Sequence, residues 1–127
     1  MSVPPPIDLA ERFLLVVEDQ FLIAKDLEEM LLTLGARKVK LEMNIGAALI
    51  SLQDEQPDIA LLDYKLGAGT VEPLADALQA RNIPFIFITG YNDSQAITAR
   101  FRNVPLVRKP IDFDSVSAAL RAALAGV

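Results

Sequence analysis

Four short apolar runs of this chain each stop on residues that phosphoryl chemistry uses. FLLVV (13–17) runs into Glu18-Asp19, IALL (59–62) into Asp63, FIFI (85–88) into Thr89, and PLV (105–107) into Arg108-Lys109. Continuous apolar runs, as opposed to alternating ones, are what a parallel sheet buried on both faces requires. In open sheets of that kind ligands bind beyond the carboxyl ends of the strands, where the strand order reverses. Three acids, one hydroxyl and one lysine are therefore expected to converge at a single sheet edge.

Each of these residues has an ordinary structural alternative. Asp19 suits a helix N-cap, since a carboxylate there accepts backbone N–H groups and complements the helix dipole. The other possibility is a cation site, because clustered carboxylates raise one another's pKa unless a positive ion neutralises them. Mg2+ keeps several waters and needs only one or two carboxylates. Asp19 is then a direct ligand, Glu18 a ligand through water, and Asp63 the third. Asp63 could equally be a turn former bound to its own backbone. Beside a metal it becomes a nucleophile able to carry an aspartyl-phosphate. Thr89 either satisfies a local backbone group or donates to a phosphoryl oxygen, with Gly90 leaving room for that group. Lys109 is either a solvated lysine or a point charge over anionic oxygens, and Pro110 admits a cis bond that redirects the chain. The occurrence of all four signals at four strand ends favours the chemical alternative.

Composition narrows the chemistry further. The chain has no cysteine and no histidine. Disulfides, thiolate or imidazole metal sites and Ser-His-Asp triads are thereby excluded. Nucleophiles shrink to Asp, Glu, Ser, Thr, Lys and Tyr, and any metal must be a hard cation held by oxygen, with Mg2+ the natural choice. The 127 residues fit one domain, and 52% of them are hydrophobic. A net charge of −5 disfavours the counterion release that drives non-specific nucleic-acid binding, so no nucleic-acid partner is expected. No apolar stretch reaches the ~20 residues of a membrane span, and the start lacks a signal-peptide pattern. Absence of cysteine suits a reducing, cytoplasmic location. Three consecutive prolines mark residues 1–10 as a flexible Pro-rich tail, leaving 11–127 as the domain.

The elements needed to position the site follow from periodicity. Strands are predicted over 12–17, 38–43 (an edge strand with one face partly exposed), 58–62, 84–88 and 104–107. Helices are predicted over 21–34, stopped by Gly35, and over 45–52, capped by Asn44 and ended before Pro57. Three more are predicted over 71–81, 94–102 and 112–124. Residues 63–70, with Gly67 and Gly69, read as a loop. The alternation is (βα)5, with crossovers long enough for right-handed connections.

Taken together, Glu18, Asp19, Asp63, Thr89 and Lys109-Pro110 resemble the functional set of a response-regulator receiver domain, over essentially residues 12–125. The resemblance implies an α/β, flavodoxin-like fold: a five-stranded parallel sheet of order 2-1-3-4-5 with helices on both faces. It implies that Asp63 accepts a phosphoryl group from a phosphohistidine on a sensor histidine kinase or histidine phosphotransfer protein, with Mg2+ required. It also implies that the main-chain carbonyl of Lys65 completes the metal ligands. Phe87-Ile88-Thr89-Gly90-Tyr91 further resembles the receiver subgroup named for its Phe-Ala-Thr-Gly-Tyr motif, often stand-alone domains of bacterial stress signalling. Two departures stand out. Leu66-Gly67-Ala68-Gly69 lacks the proline usual after the phosphoacceptor, and Leu106 replaces the switch aromatic of the last strand. The function expected is a phosphorylation-switched binding module, with a downstream protein partner, or a phosphate sink that drains a kinase. It would catalyse only its own phosphorylation and dephosphorylation. Two rivals are a small Mg2+-dependent phosphohydrolase with Asp63 as nucleophile, and a scaffold that binds no phosphate.

Overall fold

A computed structural model describes residues 5–67, 69–90, 97 and 99–125. Five strands, β1 (Phe13–Val17), β2 (Lys38–Glu42), β3 (Ile59–Asp63), β4 (Phe85–Thr89) and β5 (Leu106–Arg108), form one parallel sheet of order β2-β1-β3-β4-β5. This is the expected 2-1-3-4-5 order, with the first strand near the centre and the reversal between β1 and β3. β1, β3 and β4 are buried at every position. Their side chains alternate between two cores, which explains why both faces had to be apolar.

One core packs Leu14, Val16, Leu61, Ile86 and Val107 against α1 (Phe21–Thr33) and α4 (Phe113–Ala125), through Leu27, Leu31, Val116 and Leu120. The other packs Leu15, Val17, Leu62, Phe85 and Phe87 against α2 (Ile45–Asp54) and α3 (Glu72–Ala80), through Ala48, Leu52, Leu74 and Leu78. The cap expected at Asn44 is present, and Asp112 plays the same part at the start of α4. Asn44 Oδ1 accepts the Ala47 N–H at 2.8 Å, and Asp112 Oδ1 accepts the Ser115 N–H at 2.8 Å. Among the described residues no helix is long and apolar enough to cross a membrane.

Several local expectations change. The predicted loop over 63–70 contains a two-residue antiparallel hairpin, Lys65–Leu66 against Gly69–Thr70, because Leu66 has an apolar side chain to bury. The last strand starts later than predicted: the Val104 N–H turns back to the Phe101 carbonyl at 3.3 Å, so Val104 closes the preceding turn. Of the helix predicted over 94–102, residues 94–96 and 98 lie outside the described residues. Ile97, Ala99 and Arg100 are helical.

The largest correction concerns the N-terminal segment. From residue 5 onward it is not a loose tail. Leu9 is fully buried beside Leu34 and Leu31 in the α1–α4 core. The Leu9 N–H donates to the Leu34 carbonyl at 2.8 Å and the Glu11 N–H to the Gly35 carbonyl at 3.1 Å. The Ile7 N–H donates to Ser117 Oγ at 2.8 Å. Gly35 is favoured by its φ of +101°, and a Cβ there would also stand 2.9 Å from Asp8 Oδ1, which would have to shift. Three prolines predict extended chain, but they say nothing of Ile7 and Leu9 beyond them, which dock as any apolar pair does when a groove is present. Truncating a buried leucine costs about 2–5 kcal/mol. Leu9→Ala is therefore expected to lower the unfolding free energy by an amount in that range in urea titration. A loss below about 0.5 kcal/mol, the range of ordinary surface changes, would return the segment to the status of a tail.

Candidate functional site

β1 and β3 are neighbours, with Val17 beside Leu62, so Glu18-Asp19 and Asp63 leave the sheet side by side. β3 and β4 pair Asp63 with Ile88, and β4 and β5 pair Thr89 with Arg108. The Lys109 N–H continues that ladder to the Thr89 carbonyl at 2.9 Å. The Lys109–Pro110 peptide is cis. Lys109 Nζ stands 3.5 Å from Glu18 Oε1 and 3.4 Å from Asp63 Oδ2. Glu18, Asp63 and Thr89 are buried, while Asp19 is half-buried. The five residues singled out from the sequence are thus brought to one edge.

The capping alternative for Asp19 does not hold. α1 has Gln20 at its N-cap with no side-chain hydrogen bond. Asp19 Oδ2 instead accepts the Gly67 N–H at 3.0 Å, across the site on the loop that follows β3. Glu18 Oε2 accepts the Gln20 N–H at 3.1 Å, whereas Glu18 Oε1 is buried with no hydrogen-bond partner. Thr89 Oγ1 donates to the Gly90 carbonyl at 3.2 Å.

The electrostatics follow from this crowding. Burial, and then the neighbouring Asp63 carboxylate, push the Glu18 carboxyl up from 4.5 to about 7, against the opposing pull of the Gln20 N–H and Lys109. Burial also raises the Asp63 carboxyl, against the lowering influence of Glu18 and Lys109. Glu18, Asp19 and Asp63 each offer an oxygen within 4.8 Å of the others. An all-oxygen donor set, with one buried oxygen that makes no hydrogen bond, fits a hard divalent cation of the Mg2+ kind. Lys65 occupies the hairpin directly after Tyr64. Tyr91 lies outside the described residues. Leu106 is half-buried against the α2–α3 core.

The sequence pattern gave no prominence to Tyr64, Glu72 and Arg100. Tyr64 is buried directly after Asp63 and its hydroxyl bonds Glu72, which is paired with Arg100. The available signal was an aromatic hydroxyl adjacent to Asp63, but its partner Glu72, and Arg100 beyond that, are 8 and 36 positions away in sequence, beyond any local pattern.

No family model matches the chain. PhyR, the phyllosphere-induced regulator of Methylorubrum extorquens, is 31% identical over 114 residues covering 87% of this chain and 43% of PhyR. The chain therefore spans less than half the length of that curated relative. A solved structure of the PhyR stress response regulator superposes with a TM-score of 0.71 at 28% identity, over 89% of this chain and 45% of the other. SdrG from Sphingomonas melonis Fr1 is matched almost whole: 39% identity, TM-score 0.76, 91% of this chain and 98% of SdrG. SdrG is also known in a BeF3-activated conformation. The signal receiver domain of a modulated diguanylate cyclase from Desulfovibrio desulfuricans G20 gives 32% identity and a TM-score of 0.78 over 91% of this chain and 94% of that domain.

The raised Glu18 pKa makes stability depend on pH. Below pH 4.5 the residue is protonated in folded and unfolded chain alike, and costs nothing. As pH rises from there through about 7, the unfolded chain gives up the proton that the folded chain keeps. The folded state loses stability over that window, at about 1.4 kcal/mol for each tenfold difference in proton affinity between the two states. Glu18→Gln is therefore expected to stabilise the metal-free protein by about 1–3 kcal/mol more at pH 8 than at pH 4, in urea titrations with EDTA. Equal effects at the two pH values would contradict the assignment.

Proposed function

Because the chain belongs to the receiver-domain family of response regulators, we propose that it accepts a phosphoryl group on Asp63 and changes its binding surface in response. The observation that carries this reading is the position of Lys109 Nζ, within 3.5 Å of both Glu18 and Asp63, at the sheet edge where Thr89 also ends.

An Asp63 carboxylate oxygen forms a bond to phosphorus as the bond from phosphorus to the donor imidazole nitrogen breaks. The electron pair leaves with that nitrogen. The donor is a phosphohistidine on a sensor histidine kinase or a histidine phosphotransfer protein. Mg2+, held by Asp19, Asp63, the Lys65 carbonyl and, through water, Glu18, would supply charge neutralisation for the phosphoryl oxygens. Lys109 adds a fixed point charge on the side of β5. The Thr89 hydroxyl, bonded to Gly90 in the unmodified protein, turns to donate to a phosphoryl oxygen. Hydrolysis of the aspartyl-phosphate resets the site, so the chain catalyses only its own phosphorylation and dephosphorylation.

Phosphorylation replaces the Asp63 carboxylate by an acyl phosphate that carries about −1.5 to −2 charge, beside the carboxyl groups of Glu18 and Asp19. Its effect is expected on the surface running from Thr89 through the last strand and helix, where a downstream protein partner would bind. A role as phosphate sink needs no such partner. A cytoplasmic place in a stress-signalling pathway is part of the same proposal, supported by the likeness to PhyR. Against a phosphohydrolase stands the residue two places after Asp63: it is Lys65, where such an enzyme wants a general acid.

Incubation with acetyl phosphate and Mg2+ is expected to shift the protein on a Phos-tag gel, and Asp63→Asn or EDTA to abolish the shift. A mutant that shifts like the wild type would move the phosphoacceptor elsewhere, and turnover of p-nitrophenyl phosphate would favour the phosphohydrolase.

A further inference from the structure

Five side chains close a circuit between the residue next to Asp63 and the chain near position 100. Tyr64 is anchored by its backbone: its N–H donates to the Ile88 carbonyl at 2.9 Å and its carbonyl accepts the Val71 N–H at 2.9 Å. Its buried hydroxyl donates to Glu72 Oε2. Glu72 Oε1 accepts from Arg100 Nη1. Arg100 Nη2 also reaches both oxygens of Asp76, at 2.7 and 2.9 Å. The Arg100 guanidinium lies 4.9 Å from the centre of the Phe101 ring. Phe101 is buried and meets Phe87 edge-on at 5.2 Å, and Phe87 meets Tyr64 edge-on at 5.7 Å.

The circuit has a strong side and a weak side. The aromatic side is enclosed, and edge-to-face pairs add to the stabilisation that burial supplies. The polar side ends on Arg100, whose side chain is 48% exposed, so water screens its ion pairs and they yield before the buried ring contacts do. A displacement at Tyr64 is therefore absorbed first at the Glu72–Arg100 contact. Phe87 also lies two positions before Thr89 on β4, so both residues that respond to the phosphoryl group, Asp63 and Thr89, adjoin members of the circuit.

We propose that Arg100 and Phe101 form a latch, which the site controls through Tyr64, Glu72 and Phe87. Closed, the latch holds the chain around Phe101 against α3 and β4. Occupation of the site by a phosphoryl group loosens the Glu72–Arg100 contact and frees the surface around Phe101 for a partner. This inference rests on Asp63 being the phosphoacceptor. It gives the chain a link between site and surface that passes through Tyr64 and Phe101, where Leu106 offers no aromatic on the last strand.

Coupling of this kind is reciprocal: whatever the site does to the latch, the latch does to the site's affinity by the same factor. The test uses the full chain with Mg2+ and beryllofluoride as the phosphoryl mimic. In the wild type, the mimic is expected to speed hydrogen exchange at the Phe101 amide, which donates to the Ile97 carbonyl at 2.7 Å. Arg100→Gln, on the exposed side, is expected to speed that exchange without the mimic and to tighten mimic binding by about fivefold, the lower end of typical couplings. Tyr64→Phe is expected to act in the same direction, with the double variant less than additive. Unchanged mimic affinity, within twofold, in a folded Arg100→Gln protein would overturn the latch, as would Phe101 exchange indifferent to the mimic. A wild type that binds the mimic while the variants match it leaves the proposed function standing and removes the latch alone. A wild type that binds no mimic removes both.

Discussion

The ammonium of Lys109 faces two carboxylates that are almost wholly withdrawn from water, and the organisation of the site follows from that imbalance. Taking a charged group out of water costs several kcal/mol even after relaxation. Glu18 and Asp63 bear that cost together, with Asp19 beside them, and one lysine does not neutralise three acids. Burial and the neighbouring Asp63 carboxylate raise the Glu18 carboxyl to about 7, and its Oε1 makes no hydrogen bond. The same deficit is what a hard cation would remove.

Placing acids there demands a rigid support. β1, β3 and β4 are buried on both faces, and their parallel pairing delivers the carboxyl end of each strand to the same edge. Side chains of successive residues feed alternate cores, so neither face is free to slip without stranding apolar groups in water. Lys109 depends on this too, since its backbone extends the ladder from β5 to Thr89. Stability and site geometry therefore share one origin: the sheet that fills the core also aligns the strand ends.

Much of this was legible in order. The continuous apolar runs announced a doubly covered parallel sheet, and the polar residue closing each run named the members of the site. Periodicity located the helices that bury Leu27, Leu31, Leu52, Leu74, Leu78 and Val116. What escaped depends on contacts distant in sequence. Ile7 and Leu9 looked like part of a proline-led tail, because the groove they occupy is made by α1 and α4. Asp19 looked equally like a cap, because its true acceptor role needs the Gly67 N–H from 48 positions away. The hairpin after Tyr64 was hidden by two glycines that resemble an ordinary loop.

The sequence alone determined which groups are available: it removes imidazole and thiol chemistry, leaves oxygen ligands and carboxylate, hydroxyl or amine nucleophiles, and sets the succession of strands that carry them. Those facts are local, set by residue type and by periods of two and 3.6. Tertiary structure decided the protonation of Glu18, the partners of Asp19, and the circuit that joins Tyr64 to Arg100 and Phe101. Each of these depends on how far apart groups stand once the chain has closed on itself. Burial and distance set the strength of a charge interaction, and neither is a property of a residue before it is packed.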